Sequence, residues 1–175
     1  MATIPWAQND VLFRSLVSEG HAWQTLPYVF LSLAGLTVEM PALSIRNDIS
    51  QADAWLETYD LKIAHLTLEV KSRPFAFTSP RDWPAPRLPA FLDTVKKWEA
   101  KSTKPFAYIF ISKATGGMVA TCATAEARGR WGRLSRRDRV RDINEDFYTV
   151  GRKHLVTMDI LVRAVREAIT APSAG

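Results

Sequence analysis

The chain has 175 residues, 47% of them apolar and 23% charged, proportions of a globular protein with a sizeable core and not of a disordered one. No apolar stretch approaches the roughly 20 residues a membrane-spanning helix needs, and the N-terminus lacks a basic stretch followed by an apolar one, so neither a membrane span nor a secretory leader is expected. Cys122 is the single cysteine, which excludes an internal disulfide and a cysteine-based zinc cluster and makes the cytoplasm the default location.

The net charge of +5 comes from 23 basic and 18 acidic residues, and it is local. Arginines 128, 130, 133, 136, 137, 139 and 141 stand against Asp138 alone, so this segment carries +6 and the rest of the chain about −1. Such a concentration suggests a place where phosphates dock, the plainer alternative being a solvated arginine-rich helix or loop.

In chain order, Asn9 or Asp10 can cap a helix over residues 10–19 that stops near Gly20, and a second helix over 23–34 would end at Gly35. Residues 36–39 and 43–46 read as strands, while 47–57 are polar and unassigned. Leu61 and Ile63 alternate with Asp60 and Lys62; after Ala64 and His65, Leu66, Leu68 and Val70 alternate with Thr67, Glu69 and Lys71. Period two on both sides of a short break predicts an antiparallel hairpin, although Ala-His offers no glycine or asparagine for a positive φ. Five prolines between residues 74 and 89, with aromatics among them, predict an ordered loop. A helix is expected over 88–101, a buried strand over 106–111, a turn at Gly116-Gly117, a strand over 118–122, and an amphipathic helix over 154–169. The tail, residues 171–175, should fray. No repeat or linker divides the chain, so residues 1–175 read as one domain of the α/β class.

The chemistry concentrates in the hairpin. Glu69 and Lys71 are two residues apart on one strand and share a face, while Leu66, Leu68 and Val70 take the core face. A hairpin centred between Ala64 and His65 sets Asp60 opposite Glu69, with Cβ atoms about 4.5–5.5 Å apart. Two facing carboxylates repel, and a divalent cation is the obvious agent to offset them. Oxygen ligands suit Mg²⁺ or Mn²⁺, and a neighbouring lysine can orient a water, help deprotonate it, or neutralise charge on a phosphate. The alternative is an exposed hairpin face held by cross-strand ion pairs. A second E-x-K, Glu99-Ala100-Lys101, closes a helical pattern with no aspartate on a preceding strand and reads as surface.

Other motifs are weaker. Residues 112–117 (SKATGG) lack the spacing of a phosphate-binding loop and read as a strand turn. His21, His65 and His154 show no metal-ligand spacing. Trp131, among arginines, can stack on a base.

The phrase LTLEVKSR, preceded by Asp60, resembles the PD-(D/E)XK nuclease superfamily, and the resemblance covers residues 10–122. It implies a restriction-endonuclease-like fold, a central mixed β-sheet flanked by helices; the basic segment 128–141 and the helix over 154–169 are expected to pack on that core. It implies Asp60 and Glu69 as metal ligands, the Val70 carbonyl as a third, and Lys71 as the residue that positions water. An acid of the first helix, Glu19 or Asp10, would join them. Tyr59 stands where the family often has proline, and Asp53 and Glu57 compete with Asp60 if the register differs. The expected activity is Mg²⁺-dependent hydrolysis of DNA phosphodiesters, of the kind a junction resolvase or phage nuclease performs, with Mn²⁺ as a substitute. The expected DNA-binding residues are Arg73, Lys113, Arg128, Arg130, Trp131, Arg133, Arg136 and Arg137, and a homodimer or protein partner would add specificity. A non-catalytic nucleic-acid-binding or assembly protein on the same fold is the alternative.

Overall fold

A computed structural model describes residues 6–42, 59–84, 88–138 and 143–171. The expected strand over 43–46, the polar stretch 47–57 with Asp53 and Glu57, and Arg139 and Arg141 lie outside them.

Where two helices were expected there is one, α1 (Trp6–Leu33), which runs through both Gly20 and Pro27. A glycine inside a helix costs about 1 kcal/mol and stops it only when a left-handed turn follows. Gly20 makes no such turn, whereas Gly35 has φ +80°. There the Gly35 amide donates to the Ser32 carbonyl and the Leu36 amide to the Leu31 carbonyl, a Schellman closure, and both leucines are buried in one cluster.

Next come β1 (Leu61–Ile63) and β2 (Leu66–Arg73), antiparallel with Leu61 opposite Leu68 and Ile63 opposite Leu66, the register expected from the alternation. The turn obtains its positive φ from Ala64 at 52°, the strained choice that the absence of glycine forces. The strand expected over 36–39 is reduced to a bridge between Glu39 and Lys62. The apolar run becomes β4 (Ala107–Ser112), buried at every position and parallel to β2, and β5 (Met118–Cys122) returns antiparallel. The four-stranded sheet has the order β1-β2-β4-β5 and is mixed, so the chain is an α/β protein.

A second sheet, not anticipated from the sequence, arises from segments read otherwise. The expected helix over 88–101 is the strand β3 (Ala90–Thr94) followed by the short helix α2 (Val95–Ala100), with Thr94 Oγ1 accepting the Lys97 amide at 3.1 Å as its cap. The arginine segment is one turn of helix, α3 (Ala125–Arg128), and a strand, β6 (Gly132–Asp138); β7 (Ile143–Val150) pairs with both β6 and β3. The last helix, α4 (Met158–Thr170), begins later than expected, because residues 152–154 form a 3-10 turn and Val156 bridges Ala120.

Two cores follow from alternation along β4. Ala107, Ile109 and Ile111 join Leu31, Leu61, Leu68, Leu161 and Val165 beneath α1 and α4. Tyr108 and Phe110, on the opposite face, join Trp83, Leu92, Trp98 and Val150, so the second sheet packs against that side. Glu69 and Lys71 neighbour Tyr108 and Phe110 in the parallel ladder and therefore lie between the sheets.

Candidate active site

The face of β2 that carries Glu69 and Lys71 is enclosed, not a solvated hairpin surface: Glu69 is 6% exposed. Asp93, 3% exposed, meets it from β3. The β3 pairing is irregular between Phe91 and Thr94, and such a bulge re-aims a side chain out of strict alternation. Lys71 Nζ lies 2.9 Å from Asp93 Oδ1 and 4.0 Å from Glu69. Lys101, immediately after α2, bridges Glu69 and Asp93, 3.0 Å from the latter. Tyr108 donates its hydroxyl to Asp93 Oδ2 at 2.9 Å. The expectation that Glu99-Ala100-Lys101 is surface is therefore corrected for Lys101, which is 5% exposed, although Glu99 is exposed. The helix ends at Ala100, and the chain turns the lysine inward against two carboxylates.

Asp60 stands just before β1 and seals the end of its ladder. Its Oδ2 accepts the Val70 amide at 2.6 Å, and its Oδ1 accepts Gln24 Nε2 at 2.7 Å. Phe106 donates to the Thr67 carbonyl, so residues 67, 69 and 71 direct their backbone groups toward β4. Val70 therefore points its amide and carbonyl toward the β1 side, where the ladder stops at Leu61 and the Asp60 carboxylate takes over. The helix residue that reaches Asp60 is Gln24. Glu19 instead pairs with Lys113 at 2.5 Å, and the Asp10 side chain is outside the described residues.

The electrostatics separate these groups. Burial first, and then the Glu69 charge, push the Asp60 carboxyl up to about 6. For Asp93 burial works against ionisation, but Lys71, Lys97 and Lys101 outweigh it and hold the carboxyl well below the usual range. Burial likewise opposes the Lys71 ammonium, and Asp93 and Glu69 overcome it, so its pKa is raised. Lys71 thus remains a cation: it can orient a water or balance an anion, and it is unsuited to removing a proton. Burial and then Asp93 push the Tyr108 phenol up, keeping it a neutral donor.

Sequence reading missed Asp93, Lys101, Tyr108 and Gln24. The signal available for Asp93 was an acid inside the apolar strand Ala90-Phe91-Leu92-Asp93-Thr94, and for Lys101 its repeat of the E-x-K spacing.

Of the residues expected to bind DNA, Arg73, Arg136 and Arg137 line one cleft and the others are dispersed. Arg73 donates to the Ser72 and Phe91 carbonyls at 3.0 and 2.7 Å and lies over the Phe110 ring. Burial and then Arg136 lower its pKa to about 10. Strand alternation divides the others: Arg133 lies over Tyr148 and Arg136 over Phe91, on the two faces of β6. Arg130 pairs with Glu126 at 2.5 Å, Arg128 ends α3, and Arg137 is exposed near the end of β6. Trp131 packs edge-on against Trp98 with ring centroids 4.9 Å apart, and its indole nitrogen is buried without a partner among the described residues. Its ring thus belongs to the aromatic cluster rather than to a surface platform.

Among the described residues no group of three or more His, Cys, Asp and Glu side chains is placed to hold a metal ion. Nor is any described helix long and apolar enough to cross a membrane. Comparison with family models, with curated proteins and with solved structures finds no match to this chain.

Proposed function

We propose that the chain is a metal-dependent nuclease of the PD-(D/E)XK type, with a restriction-endonuclease-like core, that hydrolyses DNA phosphodiester bonds at Asp60, Glu69 and Lys71. The observation that carries the reading is the state of Asp60, a carboxyl raised to about 6 beside Glu69 and bound to the Val70 amide. Next to it Gln24 Oε1 is buried without a hydrogen-bond donor among the described residues. A raised acid and an unpartnered acceptor both call for a cation or a proton. The donor set fits a hard divalent ion: Asp60, Glu69 and the Val70 carbonyl would hold Mg²⁺ or Mn²⁺, with Gln24 where a first-helix acid was expected. When bound, the ion would polarise the phosphate and make a coordinated water acidic.

The remaining steps fall to the chain itself. Lys71, kept cationic, donates to the attacking water or to the phosphate as its charge grows. Asp93 and Tyr108 hold that ammonium and its surroundings in place, acting through Lys71 and not on the substrate. Lys101 holds the Glu69 carboxylate in place.

A second reading, a nucleic-acid-binding or assembly protein without turnover, draws on Lys101. Its ammonium already bridges Glu69 and Asp93 and offsets the repulsion for which a divalent ion was invoked. Incubating the protein with plasmid, linear and branched DNA in Mg²⁺, Mn²⁺ or EDTA separates the two. The nuclease reading expects cleavage with either metal and none in EDTA; intact substrates under all three conditions would overturn it in favour of the binder.

A further inference from the structure

Beside Lys71 a cleft of about 650 Å³ opens between the C-terminal half of β2 and the second sheet. Among the described residues its walls carry Lys71, Arg73, Arg136 and Arg137, and no carboxylate. Between the cations stand the rings of Phe75, Phe91 and Phe147, each half-buried, with Phe91 and Phe147 edge to face at 5.6 Å. Arg73 is oriented by two backbone carbonyls, which fix its guanidinium without neutralising it. Arg136 bears on the same site closely enough to lower the Arg73 pKa, so two like charges are held together in a partly desolvated place. That arrangement is costly when empty of anions and favourable around one. The volume lies within the range of small-ligand sites, and aromatic walls with converging cations match a flat ring joined to a phosphate.

We propose that this cleft receives one unpaired nucleotide of a nucleic-acid strand, its base among Phe75, Phe91 and Phe147 and its phosphate beside Arg73 and Arg136. Because Lys71 lines the same cleft, the assignment extends the nuclease reading: the strand enters the catalytic site unpaired at this point. As a statement about cleavage it rests on that reading; as a statement about binding it does not.

The test measures binding to the full-length protein in EDTA. The probes are dAMP, deoxyribose 5-phosphate, inorganic phosphate and a short single-stranded oligonucleotide. The base should strengthen binding at least about tenfold over deoxyribose phosphate, the scale of aromatic stacking, and the oligonucleotide should bind tighter still. Phe147→Ala should erase the base increment. Arg136→Glu, an exposed change that leaves the apolar core alone, should weaken all four probes at least about tenfold. If dAMP binds no better than deoxyribose phosphate, or Arg136→Glu leaves binding unchanged, the cleft is not a nucleotide site. Equal affinity for dAMP and the oligonucleotide would assign it to a free nucleotide and overturn the strand. Cleavage in Mg²⁺ without a base increment would remove this proposal and leave the nuclease standing, whereas a base increment without cleavage would do the reverse.

Discussion

Asp60 is destabilising as a bare carboxylate, and that can be measured. Its carboxyl lies at about 6 instead of the usual 3.8, so between those values the native state keeps a proton that the unfolded chain has released. Stability therefore falls as pH rises through this window, and above it the full penalty applies. Asp60→Asn keeps an acceptor for the Val70 amide and removes the penalty. The variant should be more stable by up to about 3 kcal/mol above pH 6, with the difference vanishing below about pH 4. Thermal melts across pH check this. Added Mg²⁺ should raise the wild-type melting temperature and leave Asp60→Asn unmoved, as expected of an ion that binds the folded site. Asp93 behaves in the opposite way. It is the shared partner of Lys71, Lys101 and Tyr108, and Asp93→Asn would leave two buried ammoniums facing Glu69 alone. Removing one partner of a buried charge network costs about 3–5 kcal/mol, which urea unfolding at constant slope would report.

At the scale of elements, what could be read from the sequence was local. The hairpin register followed from period two on either side of Ala64-His65, β4 from an unbroken apolar run, and the end of α1 from Gly35. What could not be read depends on partners distant in the chain. β3 is a strand because β7, some fifty residues later, pairs with it, while Phe91, Leu92, Val95 and Trp98 at helical spacing predicted a helix. The site divided in the same way: Glu69 and Lys71 share a strand and were found together, whereas Asp93, Lys101 and Gln24 reach them only through the fold. The turn between β4 and β5 makes a sharper demand than its sequence suggests. A Cβ at Gly117 would collide with the Phe77 carbonyl oxygen, while one at Gly151 would meet nothing within 4 Å. Gly117→Ala should therefore lower the melting temperature well beyond Gly151→Ala, as backbone must shift to admit it.

For the whole molecule, the basic segment works as an edge. Among the described residues β6 is the outer strand of its sheet, and an exposed edge invites pairing with a second chain. Antiparallel pairing of two β6 strands centred on Ser135 would bring Arg133 of each against Arg137 of the other, a repulsion that favours a polyanion over self-association. DNA affinity should then fall steeply with salt, and alanine at Arg133 or Arg136 should each reduce the logarithmic salt slope by about one. Lys113, already paired with Glu19, should contribute less than Arg136 when replaced.

The most direct test pairs two readings on one preparation of Lys71→Ala: the rate of DNA cleavage in Mg²⁺ and the affinity for the same DNA in EDTA. An ammonium that acts on the reacting phosphate predicts a loss of about 10²–10³-fold in rate with affinity held within a few-fold. A variant that cuts as fast as the wild type, or a wild type that binds DNA and never cuts it, would contradict the account.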